Sequence, residues 1–245
     1  MKKKKLNRVH LIWILPLALV LAVGIGFLVY SAFYYHADGT ALAALESDGA
    51  VRVSRTDYGW FFDGPSEEAA LVFYPGAKVE ETAYAPLLHG LAAEGMDACL
   101  VKMPLRFAFL GIDRADAVMA AHDYARWYVG GHSLGGAMAA EYAARHGDAV
   151  EGVILLGAHT RARLDDDLLE LVIRGSEDRL ASPEDLAKGR EAATSRYVER
   201  EIPGGNHAQF GNYGVQSGDG TAAIPPGEQQ AQAIRAILEA VAEGE

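Results

Sequence analysis

VGGHSLGGAMAA, which spans residues 129–140, contains the pattern Gly131-x-Ser133-x-Gly135. This is the pattern of a nucleophile elbow, in which a strand turns sharply into a helix and a serine occupies the corner. The serine is held in a strained conformation, and a Cβ on either flank would collide with the neighbouring strand or helix. The pattern therefore predicts a sharp turn that exposes the hydroxyl of Ser133.

The residues on either side of this pattern strengthen the prediction. Residues 126–129, RWYV, are largely apolar and favour a strand. Residues 137–145 are rich in strong helix formers, and the predicted helix ends before Gly147. Strand, serine and helix follow one another as an elbow requires, whereas a tight turn with an incidental serine needs no such order.

The rest of the chain alternates apolar strands with amphipathic helices. An antiparallel pair is predicted at 51–54 and 60–62, followed by buried strands at 69–74, 97–103, 153–157 and 168–173 and a last strand at 196–202. Helices are predicted at 80–94 and 114–124, after Ser182 as an N-cap, and at the C-terminus around residues 234–241. Such alternation predicts an α/β fold with a mostly parallel central sheet and helices on both faces.

Composition limits the class of protein. The chain has 245 residues, half of them hydrophobic, and a net charge of −11, which fits one domain with an appendage. Residues 1–35 carry five basic and no acidic residues, so the remainder holds 17 basic against 33 acidic residues, a net charge of −16. An acidic body argues against a nucleic-acid partner. The single cysteine, Cys99, excludes an intrachain disulfide.

The N-terminal segment has the properties of a membrane anchor. Leu11 to Val29 is an uncharged run of 19 residues, which is long enough to cross a lipid bilayer as a helix. The basic cluster before it predicts a cytoplasmic N-terminus. We expect residues 1–35 to form a cytoplasmic tip and transmembrane anchor, 36–48 a linker and 49–245 a catalytic domain outside the membrane. A cleaved signal peptide, with Ala41-Leu42-Ala43 as its cleavage site, is the alternative.

Two later strands end in residues that fit a serine nucleophile. A serine hydroxyl needs a neighbouring base to accept its proton and a third group to orient that base. In a sheet of this kind the partners follow in the order serine, acid, histidine, each at the carboxyl end of a later strand. Asp178 and then His207 occupy those positions. Alternatives for the acid are Glu177 and residues 165–167, and His159 is a weaker candidate for the base.

An oxyanion that forms during acyl transfer needs two backbone N–H donors. Leu134 follows the serine at the start of a helix, so its N–H group is the first candidate. The second is expected from the loop after the strand at 69–74, from Gly76 or Ala77.

These motifs resemble those of the α/β-hydrolase superfamily, and within it the small, lid-poor group that includes dienelactone-hydrolase-like proteins. The resemblance covers roughly residues 51–245 and depends on Tyr74-Pro-Gly76, Gly131-His-Ser-Leu-Gly135, Gly175-x-x-Asp178 and Gly205-Asn-His207. It implies that Ser133, Asp178 and His207 are nucleophile, acid and base. Dienelactone hydrolases proper use a cysteine nucleophile, whereas position 133 is a serine. This difference argues against a dienelactone substrate for this chain and leaves the expectation of ester hydrolysis intact.

The predicted function is a membrane-anchored serine hydrolase that cleaves small carboxylic esters or thioesters through an acyl-enzyme. No cofactor or metal is expected, because hydrolysis by a triad needs none. Many relatives insert a helical cap where this chain has only the short segment 160–167, so no large lid is expected. The long loop 208–226 is expected to form a wall of the site. An acyltransferase with the same triad and a catalytically silent binding protein on the same fold are the alternatives. The sequence specifies neither the substrate-binding residues nor the oligomeric state.

Overall fold

The computed structural model describes residues 8–181, 183–193 and 196–243 of the chain. The lysines of the basic cluster and the predicted N-cap Ser182 lie outside these described residues. Two compact units are present, Met1–Tyr34 and Tyr35–Glu245.

The first unit contains one long helix, α1 (Arg8–Ala32). Its segment Trp13–Ala32 has a mean hydropathy of 2.4 and is long and apolar enough to cross a membrane. The helix includes all of the predicted run Leu11–Val29, and Pro16 lies within it without ending it. A proline is tolerated in an apolar helix of this kind when neighbouring groups satisfy the freed carbonyl.

In the second unit, eight strands form one sheet in the order β1-β2-β4-β3-β5-β6-β7-β8. The strands are β1 (Arg52–Arg55), β2 (Gly59–Asp63), β3 (Ala69–Tyr74), β4 (Asp97–Val101), β5 (Arg126–His132), β6 (Gly152–Leu156), β7 (Leu169–Gly175) and β8 (Arg196–Ile202). Strand β2 runs antiparallel to both of its neighbours, β1 and β4, and strands β3 to β8 run parallel to one another, so the predicted mostly parallel sheet is confirmed.

Helices cover both faces of the sheet. They are α2 (Gly39–Ala43), α3 (Ala85–Ala93), α4 (Arg114–Met119), α5 (Leu134–Ala143), α6 (Pro183–Ala192) and α7 (Pro226–Ala242). Alternate residues of β3 point to opposite faces. Leu71 and Phe73 pack in one core layer with α3 and α7, and Val72 packs in the other layer with α4 and α5. Both faces of the central strands are therefore buried, as their continuous apolar sequences predict.

Two helices, α3 and α4, differ in their boundaries from the sequence-based expectations. The helix predicted at 80–94 is a short 3-10 turn, Glu81–Tyr84, followed by α3. Pro86 lies in the first turn of α3, where its missing N–H costs nothing, so a new helix starts there. Helix α4 ends at Met119, five residues early, and the following Tyr124 hydroxyl instead donates to Asp97 at the start of β4.

Residues 36–48, expected to be a linker, pack on the second unit. Asp38 caps helix α2 through a hydrogen bond from the Ala41 N–H, and the Asp38 N–H donates to the Asn212 carbonyl at 2.9 Å. Asp48 accepts hydrogen bonds from the N–H groups of Ala50 and Val51 and contacts His89 of α3 at 3.1 Å. The segment is thus held at both ends.

Asp48 provides a test of how that segment is held. Hydrogen bonds from the N–H groups of Val51 and Ala50, together with His89, lower the pKa of Asp48 from 3.8 to about 2. Because the folded pKa lies below the ordinary value, the charged carboxylate stabilises the fold fully above pH 3.8, and this stabilisation is lost as the pH falls through 2. We expect Asp48→Asn to lower the thermal unfolding midpoint at pH 7 and to match the parent protein near pH 2. An equal difference at both pH values would contradict this explanation.

Candidate active site

Ser133 lies at the turn between β5 and α5, as predicted. Its φ of 53° and ψ of −123° are a conformation that L-residues rarely adopt. The Ser133 N–H donates to the Leu156 carbonyl of β6 at 2.9 Å, which fixes the corner against the neighbouring strand. A Cβ at Gly131 would lie 2.4 Å from the Tyr74 carbonyl oxygen, and one at Gly135 would lie 2.1 Å from it. The flanking glycines thus allow β3, β5 and α5 to meet closely.

His207 and Asp178 form a buried pair at the same edge of the sheet. Asp178 follows β7, His207 follows β8, and His207 Nδ1 lies 2.8 Å from Asp178 Oδ2. Only 2% of His207 and 9% of Asp178 is exposed. The other carboxylate oxygen, Oδ1, accepts from the N–H groups of Leu180 and Ala181 at 2.8 and 2.9 Å. Backbone donors therefore hold the carboxylate with Oδ2 directed at the imidazole.

The other candidate acids do not contact His207. The Glu177 carboxylate accepts from the neighbouring Ser176 hydroxyl at 3.1 Å, and Asp165 lies against Gly147. Because Asp178 accepts the hydrogen from Nδ1, the lone pair of the imidazole is on Nε2. Nε2 is buried and has no hydrogen-bond partner among the described residues. It is therefore available to accept a proton.

Ser133 and His207 line one cavity of about 560 Å³, although these two side chains make no direct hydrogen bond. Catalytic hydrogen bonds are often long in unliganded sites and shorten when substrate binds. Aliphatic side chains of α5, the segment 157–162 and Leu180–Ala181 form most of the remaining wall. His159 also lines the cavity, but its Nε2 accepts from Arg161 at 3.4 Å, and the Asp178 carboxylate is bonded to His207 instead.

Gly157 is a residue of this site that the sequence reasoning missed. It has a φ of 54°, and a Cβ there would lie 2.9 Å from His207 Nδ1 and 3.2 Å from Asp178 Oδ2. Any side chain would therefore press on the hydrogen bond between acid and base. The only signal in the sequence was a glycine directly after a buried strand, which by itself predicts no more than a turn.

The loop 208–226 does not wall the cavity, contrary to expectation, although all of its residues are described. It folds behind the base. Asp219 Oδ1 accepts from the His207 N–H at 3.2 Å, and Asp219 Oδ2 accepts from the Ala208 N–H at 2.8 Å. Asn206 donates to the Gly220 carbonyl, and Gln229 of α7 bonds the Asn206 backbone on both sides. The loop thus fixes the backbone that carries His207.

The candidate oxyanion donors lie on two sides of the elbow. The N–H groups of Leu134 and Ala77 make no hydrogen bond with any described residue. The Gly76 N–H, in contrast, donates to the Tyr84 hydroxyl at 3.0 Å. This internal bond favours Ala77 over Gly76 as the second donor.

Two further observations concern metal binding and a second cavity. Among the described residues, no group of three or more His, Cys, Asp or Glu side chains lies close enough to hold a metal ion. A larger cavity, of about 1110 Å³, is lined by residues 56–58 and 109–114, part of α4 and the residues that follow it, and Arg145. It contains none of Ser133, Asp178 and His207, so its size does not mark the site of the chemistry.

Comparisons with known proteins identify the family and the fold. Residues 70–232 match the alpha/beta hydrolase family, and a search of curated proteins found no match. Est1E from Butyrivibrio proteoclasticus is 14% identical, with a TM-score of 0.55 over 79% of this chain and 100% of that one. An esterase of M. tuberculosis is 15% identical, with a TM-score of 0.56 over 81% and 96%. A dienelactone hydrolase from Anabaena variabilis is 14% identical, with a TM-score of 0.53 over 80% and 98%.

These solved structures share the fold, and the family match covers two thirds of the chain, including the elbow and both strands that precede the acid and the base. The resemblance inferred from the motifs is therefore confirmed, and this chain belongs to the alpha/beta hydrolase family.

Proposed function

We propose that this protein is a serine hydrolase that cleaves carboxylic esters or thioesters through an acyl-enzyme. The observation that carries the proposal is the buried hydrogen bond of 2.8 Å between His207 and Asp178, beside a serine held in an elbow conformation. The esterases and the thioesterase domain among the structural neighbours have the same fold. A buried carboxylate that orients an imidazole is the arrangement by which a general base activates a serine.

In the proposed reaction, His207 Nε2 accepts the proton of the Ser133 hydroxyl while the oxygen attacks the carbonyl carbon of the ester. Asp178 keeps the Nδ1–H tautomer and stabilises the imidazolium that forms. The N–H groups of Leu134 and Ala77 donate to the oxyanion, and the amino end of α5 adds its dipole. Removing one such donor costs about 3 kcal/mol of transition-state stabilisation.

Collapse of the tetrahedral intermediate transfers the proton from His207 to the departing alcohol or thiol and leaves an acyl group on Ser133. Water then attacks the acyl-enzyme, with His207 again as the base, and the carboxylic acid is released. An acceptor alcohol in place of water would make the same protein an acyltransferase. The products formed with and without an added alcohol distinguish the two activities.

A fluorophosphonate probe tests the proposal directly, because it phosphonylates an activated serine. We expect the full-length protein, purified in detergent, to be labelled at Ser133, and the Ser133→Ala variant to remain unlabelled. Hydrolysis of p-nitrophenyl butyrate should be lost in the same variant. A folded parent protein that takes no label and cleaves no ester would instead be a binding protein on this fold.

We also propose that α1 anchors the protein in a lipid bilayer, with residues 1–7 on the cytoplasmic side and the unit Tyr35–Glu245 on the other. The support is the length and hydropathy of Trp13–Ala32 and the basic residues before it. A retained anchor should keep the protein in the membrane after carbonate extraction, with the N-terminus of the translated chain intact. A mature chain that begins after Ala43 would establish a cleaved signal peptide instead.

Ala137 provides a prediction about acyl-chain length. It lies one turn beyond Ser133 on α5, and its methyl group lines the apolar wall of the 560 Å³ cavity. Phenylalanine at this position would fill part of that volume, so we expect Ala137→Phe to lower kcat/KM for octanoate esters at least tenfold more than for acetate esters. Equal losses for p-nitrophenyl acetate and p-nitrophenyl octanoate would show that the acyl chain binds elsewhere.

A further inference from the structure

A second buried histidine, His132, lies directly before the candidate nucleophile. It is 1% exposed, and its ring lies 4.5 Å from the ring of His207, measured between centroids. His132 Nδ1 lies 2.8 Å from the hydroxyl oxygen of Tyr84, which is completely buried at the start of α3. The same hydroxyl accepts the Gly76 N–H at 3.0 Å. Tyr84 therefore joins the loop after β3 to the strand that ends at the nucleophile.

The positions of the hydrogens follow from this pair of contacts. The Gly76 N–H is a donor, so the Tyr84 oxygen accepts from it and the single hydroxyl hydrogen remains for His132 Nδ1. In this direction Nδ1 is the acceptor, so the imidazole is neutral and carries its hydrogen on Nε2, an atom with no hydrogen-bond partner among the described residues. Burial, and after it the neighbouring His207, lowers the pKa of His132 well below its ordinary value, in agreement with a neutral ring. Burial also raises the pKa of Tyr84, so its hydroxyl keeps the hydrogen.

The three groups are also packed without spare room. A Cβ at Gly76 would lie 2.8 Å from both His132 Nδ1 and the Tyr84 oxygen. Tyr84 is enclosed by the rings of Phe73 at 5.1 Å and Tyr213 at 6.3 Å, so it cannot move aside easily. The backbone at position 76 is thus set by the hydroxyl of Tyr84, and Ala77 is the next residue.

We propose that Tyr84 and His132 are positioning residues that hold the loop of Gly76 and Ala77 so that the Ala77 N–H meets the oxyanion. The inference rests on the proposed serine hydrolase activity and adds to it. The Tyr84 hydroxyl occupies the Gly76 N–H, which prevents that group from competing for the substrate oxygen and leaves the unbonded N–H of Ala77 as the donor. His132 supplies the acceptor that orients the hydroxyl.

Tyr84→Phe tests this role, because it removes one oxygen and keeps the ring. Since a donor displaced by about 1 Å can cost up to about 100-fold in rate, we expect kcat for p-nitrophenyl butyrate to fall about 10- to 100-fold, with KM within a factor of two or so. Phenylboronic acid forms a tetrahedral adduct with an active serine and places an oxygen in the oxyanion site. Its inhibition constant should rise by the same factor as kcat/KM falls.

Tyr142→Phe is the matched control. Tyr142 is also buried, and its hydroxyl donates to Asp116 at 2.6 Å in the other core layer, away from the cavity. Both variants lose one buried hydroxyl, so a similar loss of thermal stability is expected. If Tyr84→Phe and Tyr142→Phe have the same kcat and the same boronate inhibition, Tyr84 is only a structural residue and the proposal is wrong.

His132 allows a second test that does not depend on Tyr84→Phe alone. Asparagine can place an oxygen near the position of Nδ1, whereas leucine cannot accept a hydrogen bond. We expect His132→Asn to retain more activity than His132→Leu, and the double variant Tyr84→Phe/His132→Leu to be no slower than the slower single variant. Losses that multiply in the double variant would show that the two residues act separately and would overturn the proposal.

The readouts separate this inference from the proposed function. A parent protein that neither reacts with fluorophosphonate nor hydrolyses esters contradicts the hydrolase assignment itself. A parent protein that does both, with kcat and boronate inhibition unchanged in Tyr84→Phe, contradicts only the positioning role.

Discussion

Replacing His207 by alanine should lower kcat for ester hydrolysis by about 10⁴- to 10⁶-fold, because the substitution removes the proposed general base. His207 Nε2 is the buried imidazole nitrogen at the cavity that has a free lone pair and a carboxylate behind it. The measurement is the initial rate of p-nitrophenyl butyrate hydrolysis by the full-length protein. Circular dichroism and thermal unfolding of the same samples report whether the fold is retained.

His146, a partly exposed histidine that does not line the cavity, provides the control for this substitution. His146 lies beyond the end of α5 and stacks on Tyr142 with ring centroids 4.3 Å apart, away from the cavity. His146→Ala should leave kcat within a few-fold of the parent value. If His207→Ala kept more than about a tenth of the activity while folded, His207 would not be the general base, and the proposed mechanism would have to be abandoned.

Asp178→Asn separates the orientation of the base from its presence. The amide oxygen can still accept from the N–H groups of Leu180 and Ala181, as Oδ1 of the carboxylate does. The amide nitrogen that replaces Oδ2 is a donor, so it favours the wrong tautomer of His207. We expect kcat to fall about 10³- to 10⁴-fold with little change in thermal stability. A rate close to that of the parent would return Glu177 or residues 165–167 to consideration as the acid.

The sequence predicts that Ser133, Asp178 and His207 lie at one edge of the sheet, because each of them directly follows a strand of the predicted parallel sheet. Parallel strands present their carboxyl ends at one edge of the sheet, so residues that directly follow β5, β7 and β8 converge there. Ser133, Asp178 and His207 are separated by tens of residues. Strands β5 and β7, which precede Ser133 and Asp178, are largely apolar, whereas β8, which precedes His207, is an edge strand with charged residues at four of its seven positions. The boundaries of the central strands came from apolar runs buried on both faces, which are the strongest signal that a sequence of this kind carries.

The supporting contacts could not be predicted because they depend on where loops pack. Asp219 lies in a stretch rich in glycine and polar residues, and nothing local relates its carboxylate to the N–H group of His207 twelve residues earlier. The choice between Gly76 and Ala77 had the same difficulty. Both N–H groups belong to one loop, and only the hydroxyl of Tyr84, which bonds the Gly76 N–H, distinguishes them.

The elbow itself is the feature with the largest predicted effect on stability. The backbone of α5 passes so close to the end of β3 that a Cβ at Gly135 would lie 2.1 Å from the Tyr74 carbonyl oxygen and 2.4 Å from that of Pro75. Both obstacles are backbone atoms at the buried centre of the sheet, so no side-chain rotation relieves them. We expect Gly135→Ala to destabilise the protein by about 3 kcal/mol or more, which is large for one methyl group.

Gly227→Ala is the matched control for this substitution, because a Cβ there meets no atom within 4 Å and the residue lies in the first turn of α7. The same added methyl group should stabilise the protein by about 0.4–1 kcal/mol, since it restricts the unfolded chain without a clash. Thermal unfolding midpoints of the two variants should therefore move in opposite directions.

The folded fraction of Gly135→Ala should also lose activity, because a helix pushed away from β3 separates the N–H group of Leu134 from that of Ala77. A Gly135→Ala variant as stable and active as Gly227→Ala would mean that β3 and α5 are not in contact, and the two oxyanion donors could not then serve one carbonyl oxygen.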